Sequence, residues 1–192
     1  MATEVTKRLF NVDEYYKMVK AGILTEFDRV ELIDGEIVEM SAIGYRHWMC
    51  VTRLTNIFIR ALGTAAVVVA QNSVRLDQWN QPEPDLVVYK PRSDYYAERR
   101  ANPEDVLLLI EVADSSLSND QKAKLPRYAA AGTPEYWIED LQHDLLLVYL
   151  EPRGNTYNTL ITLRPGDSVS PAAFPDVKFS VEELLSTDCI VE

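Results

Sequence analysis

The chain has 192 residues, 47% of them hydrophobic, which suits one domain spanning residues 1–192 with a core of its own. Its 19 Lys and Arg against 30 Asp and Glu leave a formal net charge of −11, which argues against a dedicated nucleic-acid binder with one broad basic face, while a local basic patch or a metal-holding carboxylate cluster stays compatible with it. No apolar stretch reaches signal-peptide or membrane-span length, so a soluble, cytoplasmic protein is expected; Cys50 and Cys189 lack CxxC spacing, and His47 and His143 alone cannot build a zinc site.

Val12 to Lys20 reads as a short helix capped by Asn11 and stopped by Gly22. A hairpin follows, with Arg29 to Ile33 and Glu36 to Met40 flanking Asp34-Gly35, a strong type I′ turn signal, and alternation puts Glu31 on the side of Ile33. From His47 to Leu62, Trp48, Val51, Thr55, Ile59 and Leu62 recur at helical spacing and predict an inward face, with Arg46, Arg53 and Arg60 opposite; solvation is the plain reading of that arginine stripe and phosphate binding the sharper one. Gly63 closes the helix. Ala65 to Ala70 reads as a buried strand, and Asp85 opens another apolar run, Leu86 to Tyr89.

The polar stretch Ser93 to Pro103 predicts a loop or short helix; in it Tyr95 and Tyr96 lie among Arg92, Arg99 and Arg100, a base-stacking pattern diluted by Asp94 and Glu98. A strand over 105–113 carries Glu111 behind the run Val106 to Ile110, and a helix runs on to about Ala131, its regular part starting near Lys124 so that Pro126 falls in the first turn. Pro134 to Ile138 then returns as a strand, and strand, helix, strand in this order implies a locally parallel pair. A last hairpin over 145–150 and 156–163 and a short helix over 180–185 complete a mixed α/β fold with a central sheet.

Glu111 is the most informative residue. A carboxylate among apolar neighbours needs a cation or several hydrogen bonds to stay charged. If the Asp85 and Glu111 strands are neighbours, their two acids lie side by side and suit a hard cation such as Mg²⁺. Helical spacing puts Lys124 beside Leu117, Gln121, Leu125 and Tyr128, the side that faces the sheet. The plain alternatives are a helix-capping or ion-paired Glu111 and a snorkelling Lys124. The chemistry such a set serves is phosphodiester hydrolysis, in which carboxylates hold the metal and a lysine orients or deprotonates the water.

The runs Arg29 to Ile37, Pro84-Asp85-Leu86, Ile110 to Ser116, Lys124 to Ala129 and Gly132 to Ile138 together resemble the Uma family, over about residues 10–150. That resemblance implies a restriction-endonuclease-like fold of the PD-(D/E)XK nuclease superfamily, a mixed sheet flanked by helices with an N-terminal hairpin. It implies a Mg²⁺ or Mn²⁺ site at Asp85 and Glu111, with Glu31 as a further acid and the Val112 carbonyl as a ligand. The superfamily's lysine two residues after the acid is replaced here by Ala113, so Lys124 would supply the amine from the next helix. Gln71 is a candidate for substrate or metal-water contact and His47 for phosphate contact, although a structural amide and a packed histidine are the plainer readings. A nucleic-acid substrate, DNA first, and a homodimer are the expected partners. From another functional class, a catalytically silent nuclease fold serving as a binding or regulatory module is the alternative.

Overall fold

The computed structural model describes residues 6–25 and 27–186; Cys189 lies outside them. Helix α1 (Val12–Lys20) begins at Asn11, whose side chain accepts from the Glu14 N–H while Glu14 reaches back to the Asn11 N–H, so two otherwise orphaned donors are satisfied reciprocally. Strands β1 (Val30–Ile33) and β2 (Glu36–Glu39) form the expected hairpin, and both turn residues have positive φ, 50° at Asp34 and 75° at Gly35, as a type I′ turn demands.

Helix α2 (Tyr45–Leu62) buries Cys50, Val51, Leu54, Phe58 and Leu62. The inward face is therefore turned from the one predicted: Trp48 is 51% exposed and Ile59 is also exposed, because Leu54 and Phe58 make the better-spaced stripe with Cys50 and Leu62. Arg46 is not simply solvated, since it donates to the Leu141 carbonyl at 2.6 Å.

The central sheet has the order β3-β4-β5-β6-β7-β8, built from Val67–Ala70, Leu86–Tyr89, Val106–Ala113, Glu135–Asp140, Leu145–Arg153 and Thr156–Leu163. All its neighbours are antiparallel except β5 and β6, the parallel pair that the intervening helical segment makes necessary. Strand β3 is half-buried and not fully buried as expected, because it is an edge strand. A two-strand ribbon, β9 (Ser168–Val169) with β10 (Phe179–Ser180), leads into α5 (Val181–Leu185).

Each face of the sheet carries its own core. Leu108, Ile110 and Val112 of β5 pack with α2 and α5, while Leu109 and Ala113 pack on the other side with Tyr128 and Ala129. By the two-residue period Glu111 belongs to the second layer. After β5 the chain forms α3 (Leu117–Asn119), a widened π-helical turn over Asp120–Lys124, and α4 (Leu125–Ala130) with Pro126 in its first turn, as expected. The Leu125 N–H bonds back to Asp120, five residues earlier. Pro126 has no N–H for the Lys122 carbonyl, and Arg127 satisfies that oxygen instead at 3.2 Å.

Candidate active site

Strands β4 and β5 pair Leu86 with Ile110 and Val87 with Leu109, so the next step of the register sets Asp85 opposite Glu111. The Asp85 side chain continues the ladder where β4 stops: its Oδ2 accepts from the Val112 N–H at 2.8 Å. A strand residue directs its N–H and C=O to the same side, so the Val112 carbonyl faces the side of Asp85 as well. His47, near the start of α2, reaches the same Oδ2 through Nε2 at 3.1 Å, and Gln71, at φ 47°, donates its backbone N–H to the Asp85 carbonyl at 3.0 Å. Asp85 is thus fixed from three elements, with its backbone and one carboxylate oxygen engaged. The Gln71 side chain is exposed.

Glu111 is 3% exposed. Its Oε1 accepts from Lys124 Nζ at 3.0 Å and from the Tyr128 hydroxyl at 2.8 Å. The Lys124 ammonium, 5% exposed, also donates to the Glu83 carbonyl at 3.4 Å and stands 3.4 Å from Glu31 Oε2. Glu31 is 4% exposed, brought in by the N-terminal hairpin, and accepts from the Glu83 N–H at 3.2 Å. Widening of the helix at Asp120–Lys124 and the placement of Lys124 four residues before Tyr128 put both side chains on one carboxylate.

Glu31, His47, Asp85, Glu111 and Lys124 line a cleft of about 460 Å³. Acids outnumber cations there: Glu31, Glu39, Glu83, Asp85, Glu111, Asp114 and Asp120 face Arg29, Lys124 and His47. Burial would push the Lys124 ammonium down, but Glu111, Glu31, Asp120 and Asp85 overturn that and hold its pKa above the ordinary lysine value. Burial lifts Glu111 well above the usual carboxylate range, with Lys124 pulling back and Asp120 and Asp85 adding to the rise. Asp120 is raised to about 6, again chiefly by burial. At His47 burial acts downward, and the hydrogen bond and charge of Asp85 lift the imidazole to a net rise. With its proton held by these acids, Lys124 is a hydrogen-bond donor, which fits the water-orienting role expected of it.

Asp85, Glu111, Lys124 and Glu31, singled out from the sequence, thus meet at one cleft, with His47 on Asp85 and Gln71 adjacent through its backbone. Tyr128, Asp120 and Glu83 were not singled out. Two of them carried a signal, since Asp120 and Tyr128 lie four residues either side of Lys124; Glu83 carried none, because it contributes through its backbone.

Among the described residues, Asp85 Oδ1 and Glu111 Oε2 accept no hydrogen bond, and with the Val112 carbonyl they form an all-oxygen donor set. No three His, Cys, Asp or Glu side chains among the described residues are grouped to hold an ion unaided. Two carboxylates supplemented by a backbone oxygen and water are what a small hard divalent cation accepts. Cys50 is a poor candidate for any role here, since burial and then the charge of Glu139 push its thiol up to about 12.

A family model described as "Putative restriction endonuclease" and named Uma2 matches residues 12–182. The chain belongs to the Uma2 family. The Uma2 match takes in both strands of the hairpin, the first of which carries Glu31, and the whole segment from His47 to Tyr128. Among solved structures, this Uma2 chain is similar to a crystal structure titled as "a putative nuclease belonging to DUF820" from Anabaena variabilis, at 17% identity and a TM-score of 0.72, over 93% of this chain and 98% of that one. At that identity the likeness establishes that the two chains share a fold. No curated protein matches the chain. No helix among the described residues is long and apolar enough to cross a membrane.

Proposed function

We propose that the chain is a divalent-metal-dependent endonuclease that hydrolyses phosphodiester bonds of DNA. The observation that carries this reading is the meeting of Asp85 and Glu111, side by side on paired strands, with a buried ammonium on the same glutamate. Asp85, Glu111 and the Val112 carbonyl would hold Mg²⁺ or Mn²⁺, with Glu31 as an accessory acid. Bound there, the cation supplies Lewis acidity toward a phosphate oxygen and lowers the pKa of a water.

The chain's own residues supply the rest. Lys124 holds its proton, so it orients a water and offsets negative charge at the phosphate by hydrogen bonding, exchanging its long 3.4 Å contacts while keeping the bond to Glu111. Tyr128 fixes the Glu111 oxygen that Lys124 shares. His47 holds Asp85 and, with the exposed amide of Gln71, is a substrate contact flanking it. A twofold dimer belongs to this reading as the arrangement that brings two such sites to two strands.

A second reading, a silent nuclease fold used as a binding module, draws on one observation: Lys124 already bonds Glu111 and lies against Glu31, where an ammonium can stand in for a metal. Cleavage separates the two. Supercoiled plasmid and single-stranded DNA are incubated with Mg²⁺ or Mn²⁺ and wild type, Asp85→Ala or Lys124→Ala prepared identically. Cutting by wild type alone supports the endonuclease; equal behaviour of all three removes it and leaves the binding module.

A further inference from the structure

A second cleft, of about 560 Å³, lies over β3 at the far end of β4 from Asp85, and its lining contrasts with the acidic cleft. It has tyrosines and arginines and, in a chain of net charge −11, not one carboxylate among the described residues. The volume falls within the roughly 300–1,000 Å³ of ordinary ligand sites.

The aromatic side is built in layers. Tyr89 of β4 is buried and packs its ring 5.4 Å from that of Tyr96, whose hydroxyl is tied to the Lys90 carbonyl at 2.8 Å. Tyr95 and Tyr96 both take positive φ, 48° and 65°, a conformation that costs a non-glycine residue energy and that the surrounding contacts must hold. One consequence is that Tyr95 stands 76% exposed at the cleft while Tyr96 is drawn in. Asp94, which diluted the pattern in sequence, is taken up by Arg92 at 2.6 and 2.8 Å. Asp105 likewise holds Arg99 through two bonds, of 2.8 and 3.1 Å.

Arg100 differs. Its guanidinium lies 4.4 Å from the centre of the Tyr16 ring, and among the described residues it has no carboxylate partner. Arg75, which also lines the cleft, is held by the exposed Asp13 at 3.1 Å. An exposed ring and a guanidinium without a carboxylate partner, lining one cleft, are the combination that receives a nucleobase and its phosphate.

We propose that this cleft holds an unpaired nucleotide of a single-stranded DNA, its base stacked on Tyr95 and its phosphate met by Arg100. The inference takes from the nuclease reading only the expectation of a nucleic-acid partner. A strand and not a free nucleotide is the occupant because two guanidiniums, Arg75 and Arg100, line the cleft, and successive phosphates of one strand would meet both.

The test is fluorescence anisotropy of a short labelled oligothymidylate in EDTA, where no metal-dependent cutting occurs, with thermal melts to verify folding of each variant. Tyr95→Ala should weaken binding about tenfold and Tyr95→Phe should restore it, because stacking needs the ring and not the hydroxyl. Arg100→Gln should weaken binding and flatten its salt dependence. Wild-type affinity in Tyr95→Ala and Arg100→Gln, or no binding by wild type, overturns the proposal. Equal competition by thymidine monophosphate and by the unlabelled strand overturns the strand as occupant. The same proteins in Mg²⁺ separate the two readings: a strand bound through Tyr95 yet never cut leaves the cleft and removes the nuclease, whereas cutting unaffected by either variant does the reverse.

Discussion

Lys124 compensates acids that are almost wholly buried, so its removal should be felt first in stability. Lys124→Ala leaves Glu111 and Glu31 without their cation and should cost about 3–5 kcal/mol at neutral pH by urea unfolding. Added Mn²⁺ should recover more stability in this variant than in wild type, because the ion replaces the lost charge. Asp120 gives a pH prediction. Its folded-state pKa of about 6 lies above 3.8, so the unfolded chain gives up this proton more readily, and stability falls as pH rises through that interval. Asp120→Asn should therefore stabilise the protein above pH 6 and change little below 3.8, measured by unfolding at both ends. Asp85 and Glu111 were legible as a pair from the apolar runs they adjoin, and Lys124 from its side of the helix. Glu83 was not, because its backbone N–H and C=O, which bond Glu31 and Lys124, make the contribution, and backbone groups leave no residue-type signal.

At the scale of elements, the hairpin is what delivers Glu31. Gly35 sits at φ 75°, and a Cβ there would lie 2.9 Å from Leu9 Cβ and 3.1 Å from the Phe10 carbonyl oxygen, so neither conformation nor space admits a side chain. Gly35→Ala should destabilise by more than about 1 kcal/mol and lower any cleavage rate through displaced Glu31, checked by thermal melts and by the plasmid assay. The hairpin was readable because Asp-Gly has few conformational options in a two-residue loop. The parallel β5–β6 pair was readable from the intervening helix. Three things were not. The inward face of α2 depends on which of two overlapping apolar stripes the sheet accepts, and Trp48 lost to Leu54 and Phe58. Partial exposure of β3 follows from its edge position, which apolar content does not encode. The π-helical turn needs the Leu125 N–H to choose Asp120 over a nearer carbonyl, a choice that Pro126 alone does not announce.

For the whole molecule, the net charge of −11 is unevenly spread: one cleft gathers acids and another presents arginines and tyrosines with no acid among the described residues. Neutralising the acidic cleft with a divalent cation should raise thermal stability, with the shift growing with metal concentration as binding to the native state requires. Light scattering should find a dimer if paired sites serve two strands, and a monomer at working concentration would remove that part of the proposal. The central claim is that Asp85 and Glu111 form a metal site, and calorimetric titration of Mn²⁺ tests it without any choice of nucleic acid. The account predicts saturable binding that disappears in Asp85→Ala, with that variant still folded. Absence of binding by wild type, or unchanged binding by Asp85→Ala, would contradict it.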